Sequence, residues 1–171
     1  MHKIVNALLF QIGWFLCASS VLHDTEMLVL ALCTSLIIVH LMKSQHKIQA
    51  LSLVTVVLIL GIIVDTSLQQ LQIIDFYGWH IAYFSPFWDW MIWVMFALTL
   101  ESSLAFLKKI NWMAQAFTGL IFSPVSYIAG SKLGAAQFEP SLSHIAAVGL
   151  TWMLVLPCIF LLLQWINRKF E

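Results

Sequence analysis

Asp65, Asp89, Lys132 and His144 stand at or just inside the ends of four separate apolar stretches, and His80 lies in the segment that joins the first two. Charges at such positions are costly unless they are paired or wetted, so Lys132 is expected to be neutralised by Asp65 or Asp89. Two roles follow from that pairing. It could be a structural staple between helices, or it could form a shallow polar pocket in which the Lys132 ammonium meets a phosphate or carboxylate headgroup. In the second case Trp88, Trp90, Trp93 and Tyr127 would line the apolar part. Trp90, Trp93, Ala97 and Glu101 also recur at helical spacing, a stripe expected to face other helices.

Glu101 lies about 15 residues into its stretch, roughly 20 Å from the outer end at the helical rise. If it faces the bundle it suits a proton-handling or hydrogen-bonding role. If the helix ends early, it reaches the inner interface and pairs with Lys108 or Lys109. Familiar chemistries are missing: there is no His-x-x-x-His, no Gly-x-Ser-x-Gly and no glycine-rich phosphate loop. The histidines and the single cysteines Cys17, Cys33 and Cys158 lie on different segments at non-ligand spacings, so neither metal nor cofactor is expected.

The elements that must position these groups are set by composition. Of 171 residues, 61% are hydrophobic and 9% charged, more apolar surface than a soluble domain of this size could hide from water. Stretches long enough to cross a bilayer cover residues 4–22, 26–42, 48–68, 86–107, 112–131 and 144–166. The expected fold is therefore all-α, a polytopic transmembrane helical bundle forming one domain over residues 1–171. Seven of the eight basic residues, Lys3, Lys43, Lys47, Lys108, Lys109, Arg168 and Lys169, fall on one side, which places both termini in the cytoplasm. Lys132 alone breaks the rule. The start, Met1-His2-Lys3 before an apolar run, resembles a secretory signal peptide and is read as an uncleaved signal-anchor helix. A formal net charge of zero gives no reason to expect nucleic acid.

Polar and helix-breaking exceptions carry the remaining detail. Asn6 and Gln11 should hydrogen-bond other helices. Eight of the fifteen residues from 76 to 90 are aromatic, which suits an interfacial belt on the outer leaflet or a lid over a cavity. Pro124 should kink or unwind the fifth span near residues 118–123. The small residues at 126, 129, 130 and 134 would let another helix approach closely.

Several pieces together, Asn6 to Phe15, Gly61 to Asp65, Pro86 to Trp93 and above all Ser123-Pro124-Val125-Ser126-Tyr127-Ile128-Ala129-Gly130-Ser131-Lys132-Leu133-Gly134-Ala135, give the chain a resemblance over nearly its whole length. It resembles a bacterial inner-membrane family catalogued as domain of unknown function 2878. That pattern has Asn or a similar polar residue where this chain has Glu101. The resemblance implies little chemistry, but family members look like neighbours of genes for membrane-lipid modification, which implies lipid handling. Three function classes follow. The leading one is a protein of the bacterial inner membrane that binds or translocates a lipid or other amphiphile, with Lys132 on its anionic group and Asp65 and Asp89 setting the charge balance. The second is a membrane enzyme acting on lipid, with Glu101 or Asp65 as acid or base. The third is a non-catalytic subunit that scaffolds a membrane-protein partner through Gly130 and Gly134.

Overall fold

A computed structural model describes residues 3–44 and 46–170; Met1 and His2, which open the signal-like segment, lie outside them. The fold is an all-α bundle: α1 (Lys3–Ser20), α2 (Glu26–Lys43), α3 (Lys47–Gln70), α4 (Phe87–Ala97), α5 (Trp112–Lys132) and α6 (Leu142–Phe170). A short 3-10 segment, Ala105–Lys109, precedes α5. Two strands of two residues each, β1 (Asp75–Phe76) and β2 (Ala136–Gln137), pair antiparallel with Phe76 opposite Ala136. They tie the α3–α4 connection to the α5–α6 connection at one end of the bundle.

Helices α1, α2, α3 and α6 are long and apolar enough to cross a membrane. The core is small, with Val57, Val148, Ile159 and Leu163 fully buried, while Ile12, Leu36, Ile63, Leu154 and Leu161 point outward. A surface with so many exposed aliphatic side chains is stable in hydrocarbon and would aggregate in water.

The fourth helix differs from the sequence expectation of one span over 86–107. Helix α4 stops at Ala97 after 11 residues, a rise of about 16 Å against a hydrocarbon core of about 30 Å. Irregular backbone at this depth needs partners. Asn6, on α1, supplies them: its Oδ1 accepts from Ser103 N at 3.2 Å and Ser103 Oγ at 2.7 Å, and its Nδ2 donates to Leu98 O at 3.4 Å. Thr99 Oγ1 adds a bond to Phe96 O at 2.6 Å. Asn6 thus holds another segment, as its position inside a span led one to expect.

Pro124 does not break α5, which runs unbroken from Trp112 to Lys132. Proline deprives the Leu120 carbonyl of its helical donor, and α6 accommodates that oxygen: a Cβ placed on Gly149 would lie 2.9 Å from Leu120 O. One residue before Leu120, a Cβ on Gly119 would collide with Trp152 O. The close helix crossing is therefore made by Gly119 and Gly149. It is not made by the small residues at 126–134; a Cβ on Gly130 would meet nothing within 4 Å.

Candidate functional site: a cavity with an acidic, aromatic end

The face of α5 that carries Ser126, Ala129 and Gly130 opens onto a cavity of about 840 Å³. Its opposite wall is α1 at Phe10, Trp14 and Ala18, and its floor is α4. Helix α5 packs along α6 whereas α1 packs on α2 and α4, so a cleft is left between α1 and α5. Phe15, Phe122 and Val125 at its rim are exposed, which turns the mouth toward lipid. From Thr118 to Ser131 the α5 wall runs about 20 Å. Phe76 and Ala136 of the strand pair, with the preceding Ala135, close one end, and Leu104, Phe106 and Leu107 line the other.

The polar groups gather at the strand end. Gly61 and Asp65 are one turn apart on the same face of α3, and the missing side chain at Gly61 lets the Trp93 ring lie against that helix. Trp93 Nε1 then donates to Asp65 Oδ2 at 2.6 Å. The Tyr127 hydroxyl donates to Asp65 Oδ1, and Trp152 Nε1 donates to the Tyr127 hydroxyl at 3.1 Å. Trp93 and Trp152 stack with centroids 5.0 Å apart and planes 12° from parallel. One turn before Trp93, Asp89 stands beside Asp65, 6% exposed, and its Oδ2 has no hydrogen-bond partner among the described residues. Trp88 donates its Nε1 to Tyr77 O at 2.7 Å and meets Phe76 edge-on.

Five of the residues singled out by sequence, Asp65, Trp88, Asp89, Trp93 and Tyr127, therefore line one cavity. Four do not. Lys132 is exposed at the end of α5, and the pairing expected with Asp65 or Asp89 is not made. Asp65 is buried on the inward face of α3 with both oxygens already accepting from neutral donors, which enter low-dielectric surroundings at far less cost than an ammonium. Trp90 turns to the opposite side of α4, packs on Phe84 and Phe87, and donates to Ser85 Oγ at 3.0 Å. His144 opens α6 with Nδ1 3.0 Å from Glu139 O.

Glu101 lies at the far end of the molecule because α4 ends early. It accepts from Lys108 Nζ at 2.7 Å and from Asn167 Nδ2 at 2.8 Å, and Asn167 in turn accepts from Gln49 at 2.8 Å. These bonds tie α3 and α6 to the 3-10 segment.

Sequence reasoning missed Trp152, and placed Phe76 only within the aromatic segment 76–90. An indole N–H in the middle of an apolar span needs an acceptor, and that need was the available signal for Trp152. Among the described residues lining the cavity there is no Lys, Arg or His. The arrangement offers carboxyl oxygens, aromatic faces and an apolar trough.

A family model described as protein of unknown function, DUF2878, matches residues 3–158. The chain belongs to the DUF2878 family. No curated protein and no solved structure matches it. The family carries no assigned activity, and the functional reading of this DUF2878 protein rests on the cavity itself.

Proposed function

We propose that this DUF2878 protein is a multi-pass protein of the bacterial inner membrane that binds, and in doing so moves, a lipid or other amphiphile. The observation that carries the reading is the division of one cavity of about 840 Å³ into a polar end at Asp65 and Asp89 and a long apolar remainder with its rim turned to lipid. That volume lies within the range of small-molecule sites. A molecule with one polar head and an apolar chain fits the division, entering sideways between α1 and α5.

The test fills the trough from a position where a side chain has room. Gly130→Phe places a ring where a Cβ meets no neighbour within 4 Å. Native mass spectrometry of the wild-type protein in a neutral detergent should show one co-purified amphiphile, and the folded variant should lose it. A wild-type protein with no bound amphiphile, or a folded variant that retains it unchanged, overturns the reading.

A second reading, an enzyme acting on lipid, is favoured by Asp65 and Asp89 standing side by side at the cavity, the arrangement in which one carboxyl can serve as acid and the other as base. Turnover of a lipid substrate by the purified protein alone would decide for it.

A further inference from the structure

The chemistry of the polar end narrows what the head of the amphiphile can be. Asp65 and Asp89 are both at least nine-tenths buried, and both line the cavity. Each Asp65 oxygen accepts one hydrogen bond, from Trp93 and from Tyr127, whereas the neighbouring Asp89 has an Oδ2 with no N–H or O–H donor among the described residues. No cationic side chain lines the cavity among the described residues. Two carboxyl groups buried together without a cation carry a large desolvation cost, which a positively charged ligand would offset. An anionic head brought to the same place would meet two like groups and no ammonium or guanidinium.

The surrounding rings point the same way. Trp88, Phe76 and Tyr127 gather around the two carboxyls, backed by the stacked pair Trp93 and Trp152. Aromatic faces attract a compact cation within about 6 Å, tryptophan most strongly, and rings combined with carboxylates make the usual receptor for alkylated ammonium. The donors suit an organic cation better than a metal ion: two of the four carboxyl oxygens are already occupied by N–H and O–H groups, and no group of three His, Cys, Asp or Glu occurs among the described residues.

We infer that the Asp65–Asp89 end of the cavity is a site for a cationic head, an amine or quaternary ammonium, borne by an amphiphile whose chain lies along α5. This rests on the cavity binding an amphiphile at all. It also reverses the sequence expectation, in which Lys132 received an anionic head.

Binding of three probes with the same alkyl chain, an alkyltrimethylammonium, an alkyl phosphate and an alkyl maltoside, can be measured by titration calorimetry against the full-length protein in a neutral detergent. The ammonium probe should bind at least about tenfold more tightly than the phosphate probe, a gap of about 1.4 kcal/mol. Asp89→Asn, which keeps the side chain's shape, should remove most of that preference. A phosphate probe that binds as tightly as the ammonium probe overturns the inference. So does a folded Asp89→Asn protein with its preference intact. If Asp89→Asn fails to fold, the probe comparison on the unmodified protein decides alone. If no probe binds, the amphiphile reading itself has failed.

Discussion

Tyr127 connects two helices to a third through one hydroxyl, donating to Asp65 on α3 while accepting from Trp152 on α6. Tyr127→Phe would leave Asp65 Oδ1 and the Trp152 N–H without partners in a dry setting, where each unmet group costs about 1–3 kcal/mol. The expected outcome is a lower unfolding temperature in detergent, with changed tryptophan emission as the Trp93–Trp152 stack loosens. An unchanged unfolding temperature would mean that the hydroxyl joins nothing. At this scale the sequence singled out residues more readily than it paired them. Asp65 stood out because a carboxylate inside an apolar stretch needs a reason. A rule of opposite charges then assigned it Lys132, while the fold gave it a phenol and an indole. Spacing along α4 likewise joined Trp90 to Trp93, although it is Asp89, four residues before Trp93, that shares its face of the cavity.

Helix α5 shows how two glycines about three turns apart do opposite things. At Gly119 the backbone of α6 is in the way of a side chain, and at Gly130 there is open space. Gly119→Val should therefore push α5 off α6 at a cost of about 1–3 kcal/mol, as overpacking does. Gly130→Ala should be neutral or stabilising by up to about 1 kcal/mol, since alanine is the better helix former. Thermal unfolding of the two variants in the same detergent checks the contrast, and equal stability would refute the crossing described for α5 and α6. Five of the six helices were legible as apolar runs because hydrocarbon imposes a minimum length on anything that crosses it. The early end of α4 was not, since hydropathy continues through Leu107. Its stop depends on Asn6, nearly a hundred residues away in the chain, and periodicity within a single segment cannot register such a partner. The unbroken course past Pro124 has the same kind of origin, because Gly149 on α6 makes room for the freed carbonyl.

Across the whole molecule the two ends of the bundle differ in chemistry. One end gathers the Glu101 clasp with Lys108, Asn167 and Gln49, together with the connection between Lys43 and Lys47. The other carries the strand pair, with Glu26 accepting from Trp79 N at 3.1 Å, and the exposed Trp79, Ile81 and Tyr83. Because positive charge near span ends is retained in the cytoplasm, the clasp end should face inward and the strand end outward. The cavity's acidic end then sits at the outer leaflet, which fixes the side from which a polar head must be approached. Single cysteines at Lys109 and Glu139, placed in a protein with Cys17, Cys33 and Cys158 replaced by serine or alanine, would report this in intact cells. An impermeant maleimide should label Glu139→Cys at once and Lys109→Cys only after the membrane is opened. The two positions lie either side of α5, so labelling of both from outside would mean that α5 does not cross. The lateral cleft between α1 and α5 would then open to water, and a cavity that draws its ligand from lipid would lose its entrance.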